Sequence, residues 1–440
     1  MKQIILIILV QLTGVFFAYA GKAPAIIEIT RGQVQPDPVA IIDFVNADDT
    51  STLSTGIDVS AIITNDLYNC GLFAPIAKEN LVQPAADVQA KGLDFAKWQT
   101  TTARFIVTGR IVFDSSATMT VEFRLFDVLD KKQILAKSVS GERKKMRRLA
   151  HAAADLIYSR ITNEAGFFNT QIVYSEPVSK GRKSTKRLMR MDYDGYGVTS
   201  ITDSKSLALT PRYSPSGQEI AYLKIHDRLA EVYILNLNNK SQRKLGKFEG
   251  MSFAPRFSPD ASSIVMSLSK GGTTAIYSMN VSSKKMTRLT DHVSIDTSPC
   301  YSPDGTQIVF TSDRSGREKM YIMDTMGKDV RRISFGEGKY SQPVWSPRGD
   351  LIAFTKQIFG ENKLYIGVMA PDGTGERMIA DGWLVEAPCW SANGRYLLFA
   401  KQNSVKDKSS LYMVDMTGYN LRLINTPKEA EDGAWSPLLQ

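Results

Sequence analysis

GAWSPLLQ, residues 433–440, carries the start of a motif whose fuller copies lie upstream. They are PRYSPSG (211–217), PRFSPDA (255–261), PCYSPDG (299–305), PVWSPRG (343–349) and PCWSANG (388–394). Successive prolines are 44, 44, 44 and 45 residues apart, and Ser436 follows Ser391 by 45. An aromatic residue precedes each serine: Tyr213, Phe257, Tyr301, Trp345, Trp390 and Trp435. A fixed period in this range signals a solenoid or a propeller.

The residues between the motifs choose between those two. Ser-Pro-Asp-Gly suits a type I turn, with proline presetting φ at the second position and glycine at the fourth. Short β-prone runs follow in threes, for example QIVFTSD, MYIMDT and RRIS, separated by Gly- or Asn-containing turns. With the motif strand this makes four strands per repeat, the composition of a propeller blade. A triplet at 171–202 (QIVYSE, LMRMDY, TSIT) has no motif strand before it. The sequence therefore predicts that residues 433–440 supply that strand and close a six-bladed ring. The repeated aromatics are expected to pack blade against blade. Cys300 and Cys389 fall at equivalent positions two blades apart, beyond disulfide reach.

Residues 21–165 read differently. AIIEI (25–29), VAIIDF (39–44), LFAPI, ARFIVTGRIVF and TMTVEFRLFDV suit strands, while GIDVSAIITNDLYNCG and RRLAHAAADLIYSRITN have helical apolar spacing. This predicts an α/β domain, linked by GFFNTQ (166–171) to the ring. Residues 1–20, with Lys2, an apolar run and Ala18-Tyr19-Ala20, read as a cleaved secretory signal. The expected division is 1–20 signal peptide, 21–165 α/β domain and 166–440 all-β propeller.

Composition narrows the function. Net charge is +9, with 43% hydrophobic and 22% charged residues, as in folded soluble domains. No later run is long and apolar enough to span a membrane. The basic run KKQILAKSVSGERKKMRR reads as a solvated face in an exported protein, so no nucleic-acid partner is expected. No H-E-x-x-H, G-x-S-x-G, P-loop or dinucleotide fingerprint occurs. No enzymatic activity, cofactor or metal is therefore expected. The alternatives are a secreted propeller hydrolase or lyase and a peptidoglycan-binding propeller. The connections leading into the motif strands hold ten acidic residues against four lysines. This predicts an acidic, partner-steering rim that includes Glu249, Asp296, Glu386 and Asp432.

The whole pattern resembles the TolB family, the periplasmic component of the Tol-Pal system. The most specific pieces are MDYDGYG (191–197), FTSDRSGREKMYIMD (310–324) and GAWSPLLQ. The resemblance implies a non-enzymatic adaptor in the periplasm that supports outer-membrane integrity and envelope constriction in cell division, and that colicins exploit. It implies binding of the Pal lipoprotein at the channel mouth, carried by position to Met251, Ala254, Thr297 and Ser298. It also implies binding of the TolA C-terminal domain by the mature N-terminal segment, here APAIIEIT with Ile26, Ile27 and Ile29, which is short, apolar and β-prone.

Overall fold

The computed structural model describes residues 35–47, 54–114, 117–180, 183–226, 229–248, 252–270 and 272–439. The strand predicted at 25–29 lies outside them.

In the front domain, Asp37–Ile41 pairs in parallel with Phe73–Pro75 and with Phe105–Val112. Phe105–Val112, Thr118–Asp127 and Lys132–Glu142 then form an antiparallel meander. The helices Ser54–Asn69 and Met146–Thr162 bury Val59, Ile63, Leu67, Ala153 and Ile157 against one sheet face. The other face is closed by Val88 and Trp98 against Ala40, Ile42 and Ile106. Lys132–Glu142 was hidden from the sequence reading inside the basic run. It is an edge strand, and solvent-facing lysines protect such an edge from further pairing.

The β-propeller contains four separate four-stranded sheets and one eight-stranded sheet, among the described residues, rather than six separate sheets. The eight-stranded sheet has two four-stranded halves joined by one parallel pair, Leu207 opposite Lys186. The merger arises because Lys183–Asp192 is long and reaches alongside the start of the next inner strand.

Closure is as the terminal motif implied. Glu431–Trp435 pairs antiparallel with Gln171–Lys180, placing Trp435 opposite Ile172 and Ala434 opposite Val173. Beyond the strand, Ser436 N donates to Gln171 O and Leu439 N to Asn169 O, both at 2.9 Å. The inner strands Leu207–Tyr213, Ser252–Phe257, Asp296–Tyr301, Lys339–Trp345, Leu384–Trp390 and Glu431–Trp435 each touch the next, and the last touches the first. The motif aromatics do bridge neighbours: Trp390 Nε1 donates to Val344 O at 3.0 Å, one repeat back. Cys300 and Cys389 are free thiols.

The GFFNTQ stretch is not a linker. Phe167 and Phe168 are fully buried, and the Phe167 ring lies 4.4 Å from Tyr396 and 5.9 Å from Trp435. One continuous apolar core therefore joins the front domain to the ring. A hexapeptide with two adjacent phenylalanines is better placed there than in solvent.

Candidate functional site: the open mouth of the propeller

Each inner strand runs toward its Ser-Pro turn, and its antiparallel neighbours alternate in direction. The Ser-Pro turns thus share one face with the turns between third and fourth strands. The connections into the inner strands share the opposite face, here called the mouth, with the loops between second and third strands.

The front domain docks on the Ser-Pro face. Tyr396 OH donates to Cys70 O and Asn420 Nδ2 to Asn69 O, both at 2.8 Å. Asn393 Nδ2 donates to Ala165 O at 2.9 Å, and Glu164 pairs with Arg395 and Arg348 at 3.1 and 3.2 Å. Beneath these contacts His151 Nδ1 lies 2.8 Å from Asp66 Oδ2, and Tyr193 OH donates to Asp66 Oδ1 at 2.7 Å. Asp66, His151 and Asp194 bring ligating atoms within 4.8 Å of one another. Arg147 engages Asp194 at 2.6 Å and Asp192 at 3.3 Å, so these carboxylates already have a cation.

Among the described residues no domain covers the mouth, which is built on a repeated backbone strain. The inner strands carry a bulge where each meets the second strand, just ahead of the proline or Gly433. In five of the six strands the residue at that point has positive φ: Thr210 (+47°), Ser298 (+53°), Gln342 (+52°), Ala387 (+53°) and Asp432 (+50°). A non-glycine residue there costs about 1–3 kcal/mol and persists only when its surroundings hold it. Two cross-repeat hydrogen bonds supply such support. Ala387 N donates to Gln342 Oε1 at 2.7 Å, and Thr210 N to Asp432 Oδ2 at 3.4 Å.

Of the residues expected to bind Pal, Thr297 and Ser298 lie in this ring, half-buried. Met251 lies outside the described residues. Ala254 belongs to the Ser252–Phe257 strand. Glu249, Ile26, Ile27 and Ile29 also lie outside the described residues.

The acidic rim is smaller than the count implied. Asp296 is fully buried and accepts from Arg314 at 3.0 and 3.1 Å and from Ser294 Oγ at 3.0 Å. It anchors the loop beneath Thr297 and offers no open charge, which corrects its placement on the rim. Asp381 pairs with Lys363 (2.9 Å), Asp291 with Arg288 (3.4 Å) and Glu431 with Lys186. Those bases come mostly from strands and loops outside the connections counted. Glu386 and Asp432 remain without a basic partner among the described residues. Burial first, then the charges of Asp432 and Glu431, push the Glu386 carboxyl up to about 7.

The sequence reading missed the apolar part of the mouth. Val293 and Phe335 are 86% and 70% exposed, and Ile295, Phe359, Trp383 and Val405 are exposed as well. All six sit in mouth-side connections or loops. Aromatics with arginine beside them (Arg317 over Phe359 at 4.6 Å, Arg332 over Phe335 at 5.1 Å) are the residue types enriched at protein interfaces. The signal available in sequence was the placement of large apolar residues in connections otherwise made of Gly, Asp and Ser.

These features define a two-domain β-propeller protein, sealed by its carboxy-terminal strand and, among the described residues, covered by the front domain on its Ser-Pro face. A family model described as the TolB β-propeller domain matches residues 158–439, and one for the TolB amino-terminal domain matches residues 25–134. The Tol-Pal system protein TolB of Paramagnetospirillum magneticum is 55% identical over 431 residues, covering 97% of this chain and 96% of the relative. Its counterpart in Rickettsia bellii is 47% identical over the full length of both. A crystal structure of TolB from Acinetobacter baumannii superposes with a TM-score of 0.81 at 26% identity, covering 92% of this chain and 97% of that one. The chain belongs to the TolB family of the Tol-Pal system. No helix among the described residues is long and apolar enough to cross a membrane.

Proposed function

We propose that this chain is the periplasmic adaptor of its Tol-Pal system, a six-bladed ring that binds Pal at the mouth and TolA through the mature N-terminal segment. The division into residues 1–20, 21–165 and 166–440 belongs to the same reading. Four four-stranded sheets and the two halves of the eight-stranded one support the blade count. The observation that carries the binding assignment is the asymmetry of the ring. The front domain occupies the Ser-Pro face, while six large apolar side chains stand exposed on the other. Large apolar side chains exposed together on one face are a mark of a protein-binding site.

The role is one of binding rather than catalysis. The one constellation of acid-base residue types described above, His151 with Asp66 and Tyr193, is sealed inside the domain junction. A substrate would have no route to it, which favours a structural duty. Membership of the system supports a role in outer-membrane integrity and division-linked constriction.

Calorimetry with the soluble domain of Pal tests the reading. Trp383→Glu and Phe335→Glu are expected to weaken binding at least tenfold, with the unfolding midpoint unchanged. Absence of binding by the unaltered protein would end the assignment. Removal of residues 21–32 is expected to abolish binding of the TolA C-terminal domain and to spare Pal. Retention of TolA affinity would refute that half.

A further inference from the structure

Inside the ring, the residue after each inner-strand proline or Gly433 lines the axis: Arg212, Arg256, Cys300, Val344, Cys389 and Ala434. The cavity there measures about 440 Å³, and no Asp or Glu contributes to its wall. Arg212 is only 7% exposed. Its Nε has no hydrogen-bond partner, and one terminal nitrogen donates to the adjacent Pro211 carbonyl at 2.6 Å. Arg256 Nε is likewise buried and unpartnered. Neither guanidinium has an ion-pair partner among the described residues. The two sit on neighbouring inner strands that touch.

Such an arrangement is costly in isolation. A buried charge without a counter-charge is strongly unfavourable, and a like charge beside it adds to the cost. Burial, then the neighbouring Arg256, pull the Arg212 guanidinium down to about 10; Asp432, just outside the cavity wall, pulls weakly the other way and forms no ion pair with it. Arginine is also the side chain whose planar fork matches the oxygens of a phosphate or carboxylate. We propose that the axial cavity binds one oxyanion, a phosphate or carboxylate group, between Arg212 and Arg256. The thiols of Cys300 and Cys389 and the Val344 and Ala434 side chains complete a wall that offers no competing acid. The site lies within the ring and does not depend on what docks at the mouth.

Calorimetric titration of the full chain with sodium phosphate tests the site, against sodium chloride at matched ionic strength. One phosphate per chain is expected, with affinity at least tenfold weaker in Arg212→Gln and in Arg256→Gln. A parallel titration with acetate separates the two sources: saturable binding of acetate but not phosphate assigns a carboxylate ligand. Heat and stoichiometry indistinguishable from chloride in both titrations would overturn the proposal. The variants report on folding as well. In an anion-poor buffer Arg256→Gln is expected to raise the thermal midpoint, because Arg212 loses its like-charged neighbour. A lowered midpoint there, with equal phosphate response in variant and parent, would show that the pair is not the site.

Discussion

Trp435 Nε1 donates a hydrogen bond to Thr170 Oγ1 at 2.8 Å, joining residues 265 positions apart at the point where the ring closes. The indole also packs against Phe167, so the closing strand and the domain junction share one core. Trp435→Ala is expected to destabilise the protein by about 3–5 kcal/mol, the usual cost of emptying a buried tryptophan site. Trp435→Phe keeps most of the packing and is expected to cost about 1 kcal/mol through the lost hydrogen bond. Urea unfolding measures both. An unchanged midpoint for the alanine variant would mean that closure contributes nothing to stability.

The domain junction should weaken as pH rises. Burial drives the Asp66 carboxyl above its ordinary 3.8. For His151 burial acts downward, but the surrounding carboxylates, Asp66 foremost, together outweigh it and the net shift from 6.5 is upward. Asp194 and Asp192 add to this from the ring, with Arg147 opposing them from the same helix. A raised histidine pKa gives stability that is complete below 6.5 and lost as pH climbs through the folded value. A raised carboxyl pKa also favours the protonated folded form, so both groups act in one direction. Unfolding free energy is expected to fall as pH rises above 3.8 for Asp66 and above 6.5 for His151, and His151→Gln should flatten the slope above 6.5. A slope of opposite sign would contradict the arrangement.

Glu386 gives the mouth its own titration. Its carboxyl, ordinarily at 4.5, is raised to about 7. The folded state therefore holds this proton longer than the unfolded chain, and stability is lost as pH rises from about 4.5 to about 7. Glu386→Gln removes that loss. The variant is expected to match the parent at pH 4 and to exceed it at pH 8 in thermal midpoint. Identical midpoints at pH 8 would place Glu386 in solvent rather than beside Asp432 and Glu431.

Neighbouring repeats approach closely at Gly373. Its φ is +90°, and a Cβ there would lie 2.1 Å from Ile333 O in the preceding repeat. Gly375 also has positive φ, +63°, but open space around it. Gly373→Ala is expected to cost well over the roughly 1 kcal/mol that conformation alone exacts at Gly375. Equal losses in the two alanine variants would show that the contact between repeats does not constrain the backbone.

Much of the ring was legible because each strand announces itself in the same way every 44 or 45 residues. Repetition averages out the ambiguity of any single short run, and the missing strand at 171–202 pointed to the tail. What escaped depended on distant partners. Phe167 and Phe168 read as a link because their neighbours Tyr396 and Trp435 are more than 200 residues away. Asp296 read as a rim charge because Arg314, which neutralises it, lies in a different loop. The positive φ of Thr210, Ser298, Gln342 and Ala387 runs against the extended preference of a residue before proline. The inner-strand bulge overrides that local rule, and only the paired second strand reveals it. The exposed aromatics of the mouth could not be told from core residues by type.

Hydrogen–deuterium exchange of the full chain, with and without the soluble domain of Pal, locates the face of the ring that the partner covers. New protection is expected in the mouth segments 293–298, 335–342 and 383–387, and none in the Ser-Pro turns at 302–305 and 346–349. Protection confined to the Ser-Pro face or to the front domain would contradict binding at the mouth.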